Sequence, residues 1–441
     1  MKVIIIGGVA AGMSAASKIK RSLRDSEIIV FEKTNEVSYG ACGLPYYISD
    51  VNNNEDLLRI RKAPEFISSG IDLRTNTEVI KVNFYDKSVN VRNNSNEDEY
   101  TESYDKLVIA TGASPIVPNI EGASIENVFT LKSIEDSNKI KNAVKNLKNV
   151  VIVGAGYIGM ELVETFKAMN MNIRLIEMSD RILPAFDKEI TDIVHEHLLD
   201  KGVKIHLSEQ LEKIMEYNGK VKTVVTNKME YEADCVVICV GVRPNTSFIG
   251  NELEKSKNGA ILVNHNMETN IKDIYAGGDC ACIYHKVLKK DLFIPLGTNA
   301  NKQGKLIGEV ICGKKINFKG VLGTAMAKII DLEVACTGIT EKQAILENIS
   351  YSTSFVTAPN HAPYYPNPTN LSLKLIYDTK TRIVLGAQIV GTEGAALRIN
   401  TLAACIYNEM TVEDMQYLDL GYAPPFASVW DVIHIAANSA K

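Results

Sequence analysis

Lys2-Val-Ile-Ile-Ile-Gly-Gly-Val-Ala-Ala-Gly12 leads on to Ile28-Ile-Val-Phe-Glu32, and Asn149-Val-Val-Ile-Val-Gly-Ala-Gly-Tyr-Ile-Gly159 leads on to Ile173-Arg-Leu-Ile-Glu177. The two stretches are copies of one pattern. Each reads as a buried β-branched strand, a glycine turn, a helix of small residues and a second strand ending in a carboxylate. In such a βαβ start the glycines let the backbone turn tightly and approach a pyrophosphate at a helix N-terminus. The terminal acid then accepts a hydrogen bond from a ribose hydroxyl. The first copy offers Gly7, Gly8, Ala10, Ala11, Gly12 and Glu32 as nucleotide contacts; the second offers Gly154, Gly156, Tyr157, Ile158, Gly159 and Glu177. The second is a full G-x-G-x-x-G. The first has Val9 at the middle glycine, and a branched side chain there is expected to displace the loop slightly. Lys2 and the apolar run after it also have the outline of a signal peptide, but the glycine spacing favours strand, turn and helix.

Outward from these motifs, three further strands run into tight turns: Leu107 to Gly112, Cys235 to Pro244, and Ile274 to Asp279. Beyond about residue 316 short strands and helices follow, with Pro-rich aromatic loops at His361-Ala-Pro-Tyr-Tyr-Pro366 and Gly421-Tyr-Ala-Pro-Pro-Phe426. The expected fold is α/β, with two Rossmann-like dinucleotide-binding domains and a C-terminal α+β domain. The first domain is discontinuous, at 1–112 with 241–315; the second spans 113–240 and the third 316–441. A chain of 441 residues is long enough for three cores. With 48 basic against 53 acidic side chains the net charge is −5, which argues against nucleic acid as partner. No apolar run reaches membrane-spanning length. Eight scattered cysteines lack the spacing of a secreted disulfide framework and suit the cytoplasm.

Ser38-Tyr-Gly-Ala-Cys-Gly-Leu-Pro-Tyr-Tyr47 follows Glu32 closely. A cysteine there lies beside the nucleotide crevice of an open α/β sheet. Cys42, in a glycine-flanked turn opening a helix, is expected to gain thiolate character and act as a redox thiol. A buried structural cysteine is the plainer reading, and the flanking motifs weigh against it.

The order of these motifs resembles the flavoprotein pyridine nucleotide–disulfide oxidoreductases over essentially the whole chain. The resemblance implies FAD on the first glycine motif, NADH or NADPH on the second, and a homodimer built by the C-terminal domain. It places Lys33, Thr111, Gly112, Gly241, Gly278, Asp279 and Ala300 among the cofactor contacts, with Asp279 at the flavin ribityl chain and Tyr157 covering the flavin until nicotinamide displaces it. One departure is decisive. Relatives such as glutathione reductase carry a second cysteine where this chain has Tyr47, so the redox partner of Cys42 lies outside the motif.

That narrows the resemblance to the single-cysteine branch: coenzyme A disulfide reductases, persulfide reductases, and NADH oxidases and peroxidases. The oxidases and peroxidases usually carry a histidine in the first glycine loop, which here holds Ala10 and Ala11. The chain looks most like coenzyme A disulfide reductase, which implies reduction of a Cys42–S–S–coenzyme A mixed disulfide. Tyr364 and Tyr422, with Tyr365 beside them, would reach the cysteine of the other subunit. Ser14, Lys18, Arg21 and Ser38 fall where that family contacts coenzyme A, and Arg24, Arg59, Arg61 and Lys62 add positive charge. Ser428-Val-Trp430 departs from one form of the family that is basic there. An oxidase or peroxidase cycling through a sulfenic acid stays open, as does a flavin redox sensor.

Glu177 favours NADH, since a carboxylate repels a 2′-phosphate, and Arg181 is the cation that would admit NADPH. No metal site is expected. Cys280 and Cys282 lack a second ligand pair, His195 and His197 do not share a helix face, and Cys235, Cys239, Cys312, Cys336 and Cys405 read as core or strand residues.

Overall fold

The computed structural model describes residues 1–441. The two quoted stretches build two parallel sheets of the same design. In the first, the strand order is Ile274–Ala276, Lys106–Ile109, Lys2–Ile6, Glu27–Phe31, Asp72–Arg74, every pair parallel. In the second it is Lys204–His206, Asn172–Ile176, Asn149–Val153, Cys235–Ile238, Val128–Phe129, again parallel throughout. The strand that begins each quoted stretch lies in the middle of its sheet. Val3, Ile4 and Ile5, and likewise Val150, Val151 and Ile152, are at most 1% exposed, which explains the unbroken apolar runs in place of alternation. Each sheet also carries a three-stranded antiparallel meander: Thr77–Asn83 to Glu99–Ser103 in one, Leu211–Tyr217 to Glu230–Glu232 in the other. The start of the chain is therefore strand, turn and helix, as the glycine spacing indicated.

The helix Ala10–Ser22 packs against Gly297–Ile311, and two glycines make the close crossing. A Cβ on Gly304 would stand 2.1 Å from the Ala11 carbonyl oxygen, and one on Gly308 would stand 2.7 Å from the Lys18 Cβ. Residues 297–311 thus return to the first sheet from far along the chain.

The C-terminal unit is a five-stranded antiparallel sheet, ordered Ala325–Ile329, Leu332–Gly338, Val384–Gly391, Asn370–Asp378, Tyr351–Pro359. Helices Ala395–Tyr407 and Val432–Asn438 cover one face through a core of Leu371, Leu373, Ile389, Ile399, Leu402 and Ile433. The other face meets the second parallel-sheet unit, where Ala327, Ile329, Leu332, Val334 and Val390 share a core with Val163 and Phe166. No helix is long and apolar enough to cross a membrane.

Candidate active site

The two glycine loops are held by their own carboxylates. Gly7 and Gly154 adopt φ of +108° and +101°, which favours glycine, and their amides donate to the Phe31 and Ile176 carbonyls at 2.8 Å each. The next amide donates to the acid: Gly8 N to Glu32 Oε2 at 2.8 Å, Ala155 N to Glu177 Oε2 at 2.7 Å. Glu32 also accepts from the Thr34 amide and hydroxyl, and Glu177 from the Ser179 amide. Each carboxylate clamps its loop and keeps lone pairs for a ribose hydroxyl.

Val9 takes φ −103° and ψ −129°, and the matching Gly156 takes φ −79° and ψ −168°, with nothing within 4 Å of where a Cβ on it would be. The hydrogen bonds on either side match in the two loops. The two loops thus differ by about 40° in ψ at this position and keep the same hydrogen bonds around it.

Of the remaining cofactor residues, Gly278, Ala300 and Thr111 lie against the first loop. A Cβ on Gly278 would meet Ala11 Cβ at 3.1 Å and Ala300 Cβ at 3.7 Å. Thr111 donates from Oγ1 to the Asn245 carbonyl, and Asn245 donates back to Thr111, stapling the turn at Gly112 to the strand Val242–Pro244 that follows Gly241. Gly112 faces open space. Asp279 holds an ion pair with Lys132 at 2.9 Å. Lys33 is exposed, and its carbonyl accepts from Asn94. Ile158 is half-buried on the helix that the second loop opens. A glycine cradle, an acid at the ribose position and an aspartate at the crevice mouth are the donor and acceptor set that a dinucleotide needs.

Cys42 is exposed in the short turn Ala41–Gly43, ahead of the five-residue helix Leu44–Ile48. A Cβ on Gly43 would strike Leu58 Cδ2 at 2.6 Å, so the turn is pressed onto the Asn54–Ile60 segment. The expected thiolate character is not supplied here. Loss of hydration and then the Glu161 carboxylate hold the Cys42 thiol above its ordinary value, and Lys132 is the cation that opposes them. A five-residue helix gives too small a dipole to reverse this. All eight cysteines are free.

Tyr47, in the place of a second cysteine, is buried. Its hydroxyl donates to Asn138 Oδ1 at 2.9 Å, Lys141 lies 3.9 Å over its ring, and the Lys141 ammonium donates to its carbonyl. The cysteine turn is thereby fastened to the helix Ile134–Val144.

Tyr157 opens the helix Tyr157–Ala168. Its ring meets Phe186 edge-on at 6.0 Å, and its hydroxyl lies 3.3 Å from Cys336 Sγ. Cys336 is thus more than a core filler. Sequence reading passed over Lys132 and Glu161, both near Cys42; no local spacing marks them, because the fold brings them in from other elements. Burial, with the neighbouring Glu164 carboxylate, holds Glu161 up to about 7. A carboxyl raised in this way binds its proton more tightly when folded than unfolded. Its contribution is fully present below the ordinary carboxylate range and is lost as pH rises toward 7, on the order of 1–3 kcal/mol. Glu161→Gln is therefore expected to raise the holoprotein's melting temperature above wild type at pH 8, with a smaller gap at pH 5, as thermal unfolding at both pH values will check.

Tyr364 and Tyr422 stand on the two aromatic loops of the C-terminal unit, and their hydroxyls hydrogen-bond to each other. That bond raises the Tyr422 phenol above its ordinary value. Arg398 positions both loops: it donates to the carbonyls of Asn360 at 2.9 Å and Phe426 at 3.1 Å, and to Asp431 Oδ2 at 2.8 Å. Tyr365 meets the buried His361 edge-on at 5.4 Å. Around them Phe426, Val429 and Trp430 leave a broad apolar face exposed. No hydrogen bond joins either tyrosine to Cys42 within the chain.

Of the residues read as coenzyme A contacts and the cations near them, several are already engaged. Lys18 pairs with Glu309 at 3.2 Å, Ser14 donates to Asn301, and Lys62 pairs with Asp56. Arg59 is locked among Glu36, Glu55 and Asp56. Arg61 lies 4.0 Å over the Phe66 ring. Arg21 and Arg24 remain exposed with no acidic partner, at the end of the Ala10–Ser22 helix. Ser38 has φ of +47°, and its amide donates to the Gly8 carbonyl, joining the cysteine segment to the first loop. No group of histidines, cysteines and carboxylates could hold a metal ion.

Two dinucleotide cradles on one chain, with a lone cysteine between them, define a two-nucleotide redox enzyme. The chain belongs to the pyridine nucleotide-disulphide oxidoreductase family: residues 1–304 match it, and 324–432 match its dimerisation domain. FAD and NAD(P)H are accordingly its cofactors, and it assembles as a homodimer. It is similar to the NAD(P)H coenzyme A polysulfide/persulfide reductase of Pyrococcus horikoshii, 40% identical over 100% of this chain and 98% of that one. It is 33% identical to the coenzyme A disulfide reductase of Staphylococcus aureus, over the whole of both chains. An NADH oxidase of Enterococcus faecalis is 34% identical over 100% of this chain and 99% of that one.

Proposed function

We propose that the protein uses NADH to reduce a disulfide or persulfide of coenzyme A through Cys42. The observation that carries this is Tyr47, buried and hydrogen-bonded where a second cysteine would stand. With no partner cysteine in the motif, the sulfur bonded to Cys42 comes from substrate. The balance is NADH + H⁺ + RSSR → NAD⁺ + 2 RSH. Bound FAD supplies a two-electron relay from nicotinamide to sulfur.

The chain's own groups do the rest. The loop at Gly7 to Gly12, with Glu32 and Asp279, holds FAD; the loop at Gly154 to Gly159, with Glu177, holds NADH. Three units follow from this: a FAD-binding unit from residues 1–112 and 241–315, an NADH-binding unit from 113–240 and a dimerisation unit from 316–441. The Cys42 thiolate attacks the substrate disulfide, and the departing thiolate takes a proton from the Tyr364–Tyr422 pair of the partner subunit. Lys132 is the cation whose charge favours the Cys42 thiolate. Arg21 is the exposed cation best placed for a substrate phosphate, with Ser14, Lys18 and Ser38 nearby. Eight free thiols suit work in a reducing compartment, which we take to be the cytoplasm.

The test is anaerobic NADH oxidation with coenzyme A disulfide as sole acceptor. Turnover supports the reading; no turnover, with rapid NADH loss once oxygen or peroxide is admitted, replaces it with a sulfenic-acid oxidase. In the same assay NADH is expected to outperform NADPH about 10²-fold in kcat/KM, because Glu177 faces the 2′ position with a like charge. Equal use of the two nucleotides would transfer the specificity to Arg181.

A further inference from the structure

One row of side chains crosses the C-terminal sheet on the face turned toward the second parallel sheet. Cys336 pairs directly with Gln388, and Gln388 with Lys374, across three adjacent strands. Residues directly opposite in register share a face. Each member of the row reaches a residue of the second parallel-sheet unit: Tyr157, Asp187 or Glu189.

Cys336 Sγ meets the hydroxyl of Tyr157, the first residue of the helix that the glycine loop opens. Gln388 and Asp187 form a reciprocal pair: the Asp187 amide donates to Gln388 Oε1 at 2.7 Å, and Gln388 Nε2 donates to Asp187 Oδ2 at 2.6 Å. Lys374, with no exposed side chain, donates to Glu189 at 2.8 Å and to Glu341, and lies 3.5 Å from Asp187. Asp187 ends the segment that begins at Glu177. Midway along it, the Leu183 amide donates to the carbonyl of Ala155 in the glycine loop, and Leu183 takes a φ of +47° that a leucine rarely adopts. The segment is thus held at three points: the ribose acid, the glycine loop and the sheet row.

We propose that Lys374 and Gln388 are positioning residues for NADH, fixing the Asp187 end of the Glu177–Asp187 segment against the dimerisation sheet, beside the Cys336–Tyr157 contact. The proposal rests on the assignment of the second glycine loop to NADH. A buried ammonium among three carboxylates is a costly way to obtain stability alone, since well-packed apolar residues do as well. What it does supply is a buried fixed point at the Asp187 end of the contact, where the other ion pairs between the two units, Lys328 with Glu164 and Lys201 with Asp331, are more exposed. Hydride transfer is sensitive to displacements of about 1 Å.

The test uses the purified FAD-loaded dimer carrying Gln388→Leu or Lys374→Met. Rapid mixing with NADH is expected to show flavin reduction slowed about tenfold and a raised NADH KM. The second half-reaction, reoxidation of dithionite-reduced enzyme by coenzyme A disulfide, is expected to keep the wild-type rate, with FAD content and dimer unchanged. Lys374→Arg is expected to recover part of the loss. If Lys374→Met fails to fold, Gln388→Leu carries the same comparison, because it removes no charge. Wild-type flavin reduction by NADH in Gln388→Leu would overturn the proposal, as would an equal fall in both half-reactions, which marks a merely structural role. A wild-type enzyme that NADH does not reduce would instead overturn the NADH assignment itself.

Discussion

Cys42→Ser is expected to lower NADH-dependent disulfide reduction at least about 10³-fold, to the rate without enzyme, while NADH still bleaches the flavin. The argument begins with what could replace the lost thiol. Tyr47 excludes a neighbour in the motif. Cys235, Cys280, Cys282 and Cys405 are buried, and burial holds the Cys239 and Cys336 thiols well up, Cys239 to about 12. Cys312, half-buried, caps the end of the helix Gly297–Ile311 about 18 Å along it from Ala300, so Cys42 is the thiol placed at the crevice. The fold should not notice the change, because Cys42 is exposed and makes no side-chain hydrogen bond, so stability should stay within about 0.5 kcal/mol of wild type. Stopped-flow spectra of the two half-reactions separate the outcomes. Flavin reduction retained with reoxidation by disulfide lost is the expected result. Full turnover in the variant would remove Cys42 from the chemistry and leave a flavin electron-transfer protein in which the cysteine at most senses oxidation.

What the sequence makes legible is what is local. The glycines, and an acid about twenty residues beyond each, form a contiguous pattern, and the structure closes both patterns on themselves through Gly8 to Glu32 and Ala155 to Glu177. Val9 shows the limit of the motif: positive φ falls at Gly7 and Gly154, and the position that Val9 fills needs none. The helix that opens after Cys42 has five residues, a length its sequence does not display. Partners chosen by tertiary packing were out of reach. Lys132 finds Asp279 across 147 residues, and Lys374 finds Glu189 across 185. Arg59, in turn, was read as a free cation because sequence does not show that Glu36 folds back onto it beside Glu55 and Asp56.

The repeat allows the two nucleotide assignments to be tested against each other. Gly12 and Gly159 are the third glycines of their motifs, where helix and strand approach most closely. A Cβ would stand 1.9 Å from the Gly7 carbonyl oxygen at Gly12, and 2.1 Å from that of Gly154 at Gly159. Alanine gains about 1 kcal/mol in helix propensity over glycine. That gain is set against an overlap with backbone, which cannot rotate aside as a side chain can, at a cost of about 1–3 kcal/mol or more. The overlap wins, and the loop must open. Gly12→Ala is accordingly expected to purify largely without FAD, colourless. Gly159→Ala is expected to stay yellow, to be reduced by dithionite, and to be reduced by NADH at least about 10²-fold more slowly than wild type. The contrast lies in which nucleotide is lost, so it does not depend on either variant being fully stable. Should Gly159→Ala lose the flavin and Gly12→Ala keep it, the two cradles would exchange ligands, and the placement of Cys42 beside the flavin would fall with them.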